Sequence, residues 1–131
     1  MDLKINIADQ KSGKCIKKEL KEDAALSLYG KKIGDKFHGE MLDMPGYEFE
    51  ISGGSDFCGF PMRKDVNGTM RKQILTTKAM GNRYNRKGMR LRRTVSGNTV
   101  YAKTAQLNLK VIKFGPEALI KDEPKAEEKK K

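Results

Sequence analysis

The chain has 131 residues, a formal net charge of +11 and 37% hydrophobic residues, with no Trp. This length fits one domain, and no apolar run approaches the roughly 20 residues of a membrane-spanning helix. The N-terminal residues lack the basic and apolar regions of a signal peptide, which predicts an intracellular protein. Two cysteines, Cys15 and Cys58, and one histidine, His38, are too few for a structural zinc site. We therefore expect no metal, no cofactor and two buried, unpaired thiols.

The first half of the chain predicts two paired strands, a helix and a third strand. Residues 3–7 alternate as a half-buried strand, and residues 14–20 predict its partner after a turn-rich linker at 9–13. Asp23 is placed to open a short helix over residues 24–29, which Gly30 would end in a left-handed conformation. The stretches 33–37 and 41–46 indicate loops with buried anchors. Residues 47–51 then alternate as a strand.

The second half predicts a hairpin and two more strands. Asn67 and Gly68 favour a type I′ turn between Val66 and a strand over residues 69–75. Residues 99–103 and 106–114 supply further strands, and residues 116–120 one helical turn. The glycine-rich segment 52–62 has no Gly-Lys-Ser/Thr ending, which favours a structural loop over a phosphate-binding loop.

Together these elements predict a mainly β fold. The expected architecture is one domain over residues 1–120, a small β-barrel of about six strands with a short helix. An Arg-rich extended arm at residues 78–93 belongs to this domain. Residues 121–131 are charged and poor in apolar side chains, so they are expected to form a disordered tail.

Charge is concentrated in one part of the sequence. All seven arginines lie between residues 63 and 93, together with four lysines and one acid, Asp65, so this window carries +10. Residues 1–62 carry −2 and residues 94–131 carry +3. Arginine favours bidentate contact with phosphate and stacking on bases, which indicates RNA as the partner. The candidate RNA-binding residues are Arg63, Lys64, Arg71, Lys72, Lys78, Arg83, Tyr84, Arg86, Lys87, Arg90, Arg92 and Arg93.

Segment 78–93 has neither a helix nor a strand period, and seven of its 16 residues are Lys or Arg. We expect it to become ordered only when phosphates neutralise it, with Tyr84 stacked on an unpaired base. The alternative is a solvated loop with Tyr84 packed on the domain. Three methionines, Met70, Met80 and Met89, are expected to fill gaps in the core. Because Asp65 is the one acid in the window and His38 has no evident nucleophile, no catalytic site is expected.

Several motifs resemble one known family. They are Ser-Gly-Gly-Ser-Asp at 52–56 with Gly-Phe-Pro-Met at 59–62, Tyr-Asn-Arg at 84–86 with Arg-Leu-Arg-Arg-Thr-Val at 90–95, and Leu-Asn-Leu at 107–109. In this order they resemble the archaeal and eukaryotic small-subunit ribosomal protein family S6e, from Met1 to about Ile120.

The resemblance implies a non-enzymatic, structural protein of the cytoplasmic ribosome with a small β-barrel body. Its expected partners are small-subunit ribosomal RNA and neighbouring ribosomal proteins, without a membrane, a small-molecule substrate or a homo-oligomer. The resemblance also implies a mainly architectural role for the segment 53–62. The positions that match the family's RNA-binding arm are Arg83, Tyr84, Arg86, Lys87, Arg90, Arg92 and Arg93.

The sequence departs from the family pattern in two places. Eukaryotic relatives extend into a basic helix with phosphorylated serines, whereas this sequence has no Ser, Thr or Tyr after Thr104, so tail phosphorylation is not expected. Asn85 stands where the family often has proline. The chain therefore resembles the short archaeal form. The alternative function is a free-standing single-stranded RNA-binding module or RNA chaperone.

Overall fold

The computed structural model describes residues 2–82 and 86–115. Over this part of the chain, the protein is mainly β, with one short helix, α1 (Glu22–Leu26), and a 3-10 helix at Gly39–Leu42. The seven strands are β1 (Leu3–Ala8), β2 (Cys15–Leu20), β3 (Lys36–His38), β4 (Glu48–Asp56), β5 (Lys72–Thr76), β6 (Leu91–Val95) and β7 (Thr104–Lys113). The predictions for residues 116–120 and for the tail at 121–131 lie outside the described residues.

Five strands form one mixed sheet in the order β2-β1-β7-β4-β3, and β5 and β6 form a separate antiparallel hairpin. Within the large sheet, β1 and β7 are parallel, while the other neighbouring pairs are antiparallel. The described strands form no closed barrel. The mainly β class is therefore confirmed, and the barrel is not.

The core covers one face of the five-stranded sheet. Every second residue of β1 is buried, and the inward positions of β7 and β4 continue the same apolar layer. The buried apolar side chains of these strands are Leu3, Ile5, Ile7, Phe49, Ile51, Leu107, Leu109 and Val111. Met62 and Val100, which lie between strands, pack over this layer. Strand alternation thus places the polar residues of β1 and β7 on the opposite face.

The N-terminal elements follow the sequence pattern closely. The antiparallel pairing of β1 with β2 is confirmed, and the turn between them is closed by Asp9, whose Oδ1 accepts from the Lys11 amide at 2.8 Å. A hydrogen bond from the Ser12 hydroxyl and this amide hold the pKa of Asp9 below its usual value. Helix α1 begins at Glu22, so the prediction that Asp23 opens it is wrong. Gly30 has the expected left-handed φ of +85°.

Strand β4 continues through the glycine-rich segment that the sequence indicated as a loop. The loop prediction is wrong for residues 52–56, because β4 pairs with β7 as far as Asp56, with register shifts on the way. Gly54 explains part of the motif: a Cβ there would lie 2.3 Å from the backbone oxygen of Gln106. A Cβ on Gly53 would meet no atom within 4 Å. The loop prediction for 33–37 also missed β3, which starts at Lys36.

The predicted Asn67-Gly68 hairpin is wrong. The chain around it pairs with residues 98–99: the Asn98 amide donates to the Val66 oxygen at 2.8 Å, and the Asn98 side chain accepts from the Gly68 amide at 3.3 Å. Asn98 thus bonds the backbone groups of Val66 and Gly68. Strand β5 pairs with β6 instead of with the residues before the turn. Residues 99–103 are likewise not a strand, because a turn from Tyr101 to Thr104 precedes β7.

The predictions about the burial of the sulfur-containing side chains are wrong as well. Both cysteines are free, as expected, but both are exposed. The side chains of Met70, Met80 and Met89 are 74%, 58% and 42% exposed and do not fill the core. All three methionines lie in the Arg-rich window of residues 63–93. This part of the chain therefore exposes apolar side chains as well as cations.

Candidate nucleic-acid interface

Most of the candidate cations belong to one structural unit, the basic hairpin, which we define as β5, β6 and their connection at 77–90. The register sets Leu75 opposite Arg92 and Ile74 opposite Arg93. Because strand neighbours alternate between faces, Leu75 and Arg92 share one face, and Arg93 shares the other with Ile74. Both arginines are exposed. The hairpin therefore presents cations on both of its faces.

A tight turn at 79–82 fixes one end of the connection. The backbones of Ala79 and Asn82 exchange two hydrogen bonds of 3.2 and 2.9 Å, and Gly81 has a φ of +85°. The Asn82 side chain is buried and donates to the backbone oxygens of Thr76 and Thr77 at 3.2 and 3.0 Å. Residues 79–82 thus form a hydrogen-bonded turn and residues 91–93 belong to β6, although the sequence shows no strand or helix period there. That the segment becomes ordered only when phosphates neutralise it stays a prediction.

The other end of the hairpin is joined to the body of the protein. The Ser96 amide donates to the Pro61 oxygen at 2.9 Å, and the Arg63 amide donates to the Ser96 oxygen at 3.2 Å. Val95, the last residue of β6 and the neighbour of Ser96 in sequence, is fully buried. These contacts place Arg63, far from β6 in sequence, directly beside it.

Eight candidate residues are exposed and have no acidic partner among residues 2–82 and 86–115. They are Lys64, Lys72, Lys78, Arg86, Lys87, Arg90, Arg92 and Arg93. Since no carboxylate neutralises them, their charges add to a positive potential around the hairpin. This arrangement favours a polyanion, which can contact many of these side chains at once.

Arg63 differs from these eight because it has an acidic partner. Its guanidinium makes two hydrogen bonds with Asp65, of 3.2 and 2.6 Å, which hold the pKa of the Asp65 carboxyl below its usual value. Its Nη1 is buried and has no hydrogen-bond partner within the described residues. Arg63 and Arg90 both line a cleft of about 380 Å³, together with Leu75, Thr76, Thr77 and Ala79. The fold thus brings two distant arginines to one cleft that a phosphate group can enter.

Arg71 also has an internal partner. Its Nε donates to the buried Asp56 carboxylate at 2.5 Å, and its guanidinium lies 4.6 Å from the Phe57 ring centroid and 5.3 Å from that of Phe60. The bond to Asp56 raises the pKa of Arg71 above its ordinary value. Arg71 therefore joins the end of β4 to the start of β5, and its RNA contact remains a prediction.

Two candidates, Arg83 and Tyr84, lie outside the described residues. The sequence reasoning missed the apolar members of this surface, although Leu75 and Met80 are visible inside the basic window and are more than half exposed. It also missed Phe57 and Lys103, which lie outside the window and meet Arg71 only in the fold. No local sequence signal marks those two residues.

Other chemistry finds no support in the described part of the chain. No group of three or more His, Cys, Asp or Glu side chains there could hold a metal ion. None of the helices in this part is long and apolar enough to cross a bilayer. His38 is exposed in β3. The fold and the surface define a mainly β protein with one strongly basic surface.

Comparison with known proteins identifies the family. The family profile for ribosomal protein S6e matches residues 3–122. A small ribosomal subunit protein eS6 from Methanococcus maripaludis strain C6 is 40% identical over 119 residues, covering 91% of this chain and 94% of the relative. The proteins of the same name from Nanoarchaeum equitans and Thermoplasma acidophilum are 45% and 42% identical, each over 86% of this chain and over 82% and 90% of the relative.

This chain belongs to the ribosomal protein S6e family. It is therefore a structural, non-enzymatic ribosomal protein, and its place in the cell is the cytoplasmic ribosome. The resemblance drawn from the sequence motifs is confirmed.

Proposed function

We propose that this protein is a constituent of the small ribosomal subunit that binds and stabilises ribosomal RNA through the basic hairpin. The observation that carries the proposal is the set of eight exposed cations without an acidic partner in the described residues, of which all but Lys64 belong to the hairpin. Phosphate oxygens supply the missing negative charge, and the release of counterions from RNA favours the complex.

The two parts of the fold, the five-stranded sheet and the basic hairpin, have different roles in this proposal. The five-stranded sheet supplies a rigid core, and the backbone bonds at Pro61, Arg63 and Ser96 hold the hairpin against it. A rigidly held hairpin loses less conformational entropy on binding than a free segment of the same charge. The protein thereby fixes the relative position of the RNA strands whose phosphates it contacts. Arg83 and Tyr84 stay predicted RNA-binding residues, and neighbouring ribosomal proteins are the expected additional partners.

Sedimentation of the tagged full-length chain in cell lysate tests the proposal. Migration with the small subunit on a sucrose gradient, at low and at moderate salt, is expected. A chain that stays at the top of the gradient at both salt concentrations would overturn the ribosomal assignment. It would favour the free-standing RNA-binding module.

The role of the hairpin needs a matched pair of variants. Neutralising Arg90, Arg92 and Arg93 with glutamine is expected to shift the chain toward the top of the gradient as salt rises. Neutralising three exposed lysines of the large sheet removes the same charge and is expected to leave the position unchanged; these are Lys4, Lys17 and Lys36. Equal release of both variants would contradict a specific role for the hairpin.

A further inference from the structure

A second cavity, of about 420 Å³, lies beside the Arg71–Asp56 ion pair and outside the cleft that Arg63 and Arg90 share. It is lined by Phe57, Thr69, Met70, Arg71, Tyr101 and Lys103. Two aromatic rings, a thioether and two cations therefore meet at one opening. The described residues of the basic hairpin include no aromatic side chain, so the hairpin does not offer this combination.

The cavity is built before any ligand arrives. The Phe57 amide donates to the Lys103 oxygen at 3.0 Å and so joins the two loops that form its walls. The Asp56 amide donates to the Phe60 oxygen at 3.0 Å, and the Gly59 amide returns a bond to Asp56 at 2.8 Å. A ligand entering this cavity would not need to order those loops, which reduces the entropic cost of binding.

One wall of the cavity is an apolar surface left in solvent. Phe57 is 46% exposed and Met70 is 74% exposed, although both are large apolar side chains. Arg71 holds the Phe57 ring in place from one side at 4.6 Å, and Asp56 in turn fixes Arg71. The ring is therefore oriented while much of its surface stays open to a partner. Covering this surface would be favourable.

The charge at the rim indicates the kind of partner. Lys103 is exposed and has no acidic partner among the described residues, and the hairpin beyond the cavity is strongly basic. An apolar peptide would cover the rings but would leave these charges without a counter-charge. A nucleotide matches both features, because its base has a planar face for stacking and its phosphate is anionic.

We propose that this cavity binds one unstacked nucleobase of ribosomal RNA, with Phe57 as its stacking platform and Lys103 on the adjoining phosphate. The inference rests on the proposed function and names a contact that the basic hairpin alone does not provide. It also gives Arg71 an indirect part in RNA binding, as the residue that positions the Phe57 ring.

The absence of tryptophan from the chain offers a direct test. Phe57→Trp introduces a single indole at the proposed platform, and Leu26→Trp introduces one on α1, where Leu26 is 62% exposed. The probe is single-stranded oligoadenylate, and its binding to the full-length chain is followed separately by fluorescence anisotropy of a labelled strand. Stacking is expected to quench the emission of the Phe57→Trp variant and to leave that of the Leu26→Trp variant unchanged.

Affinity provides a second measurement. Phe57→Ala is expected to weaken oligoadenylate binding roughly 5- to 150-fold, the range for losing one stacked base. Leu26→Ala, which removes another exposed large apolar side chain, is expected to have no effect. Binding without quenching, together with unchanged affinity of Phe57→Ala, would overturn the base-binding cavity while leaving the hairpin proposal intact. No binding of oligoadenylate or ribosomal RNA by any variant would overturn both proposals.

Discussion

Charge neutralisation on the basic hairpin should change the salt dependence of RNA binding by a calculable amount. Each phosphate contact contributes about 0.9 to the slope of log affinity against log salt concentration for a duplex. If about five of the exposed cations contact phosphates, the wild-type slope is roughly −4 to −5. The variant Arg90→Gln/Arg92→Gln/Arg93→Gln removes three contacts and should lower the magnitude of the slope by about 2.7. Each of these three side chains is exposed and without an acidic partner in the described residues.

The same slope gives the loss of affinity at a single salt concentration. With the electrostatic contribution vanishing near 1 M salt, a slope change of about 2.7 corresponds to roughly 500-fold weaker binding at about 0.1 M. Filter binding of a small-subunit ribosomal RNA transcript over a series of KCl concentrations measures both quantities. Unchanged thermal unfolding of the variant would establish that the loss is not caused by misfolding.

The control is Lys4→Gln/Lys17→Gln/Lys36→Gln, which lowers the net charge equally but on β1, β2 and β3. Its slope should match that of the wild type. If the two triple variants lose the same slope, the protein attracts RNA through its net charge alone, and the reasoning from unpaired hairpin cations is refuted. A hairpin variant with an unchanged slope would refute it equally.

Three further predictions concern the scaffold. Gly54→Ala should strongly lower the melting temperature, because its Cβ would lie 2.3 Å from the backbone of β7, whereas Gly53→Ala, with open space around it, should be tolerated; thermal unfolding compares the two. Burial and Asp56 raise the pKa of Tyr101 above its ordinary 10.0, so the stability that protonated Tyr101 contributes should be lost as pH rises past 10.0. Tyr101→Phe should flatten that alkaline decline in denaturant titrations. Leu109→Ala, at a position 1% exposed, should cost about 2–5 kcal/mol in the free energy of unfolding, measured with urea, while a Leu109→Met change should cost far less.

The sequence predicted the strands that have a clear alternation and missed those without one. The strand β1 has three inward apolar residues, and its pairing with β2 was predicted correctly. In contrast, β3 has a single buried residue, Phe37, and three residues are too few to show a period. In β6 the alternation is broken because Arg93 occupies a position on the same face as buried Val95. With a charged residue on its inward face, β6 lacks the apolar–polar alternation by which a strand is recognised in a sequence.

Long-range pairing accounts for the other errors in the fold. Asn67 and Gly68 have the composition of a hairpin turn, and Gly68 has a positive φ of +103°. The turn nevertheless fails because Asn98, about thirty residues away, satisfies the backbone groups that a hairpin would have paired. Local propensity cannot reveal a competing partner that is distant in sequence.

The basic window itself was evident from composition, but the use of each arginine was not. Arg63 finds its acid two residues away, and Arg71 finds Asp56 fifteen residues upstream, in the strand that the glycine motif concealed. A charge count therefore overstates the cations available to a ligand. Exposure and pairing in the fold separate the two arginines that hold protein segments together from the exposed cations of the hairpin.

The ion pair between Arg71 and Asp56 also connects the family motif with the proposed RNA binding. The glycine-rich stretch pairs with β7 as far as Asp56, and this pairing places the buried Asp56 carboxylate where it meets Arg71. Arg71 then fixes the Phe57 ring at the mouth of the second cavity. A substitution that moves β4, such as alanine at Gly54, should consequently disturb the proposed base-binding cavity while the Arg92 face of the hairpin keeps its charge. The architectural role of the motif and the proposed binding role of its neighbouring loop are thus two consequences of the same strand.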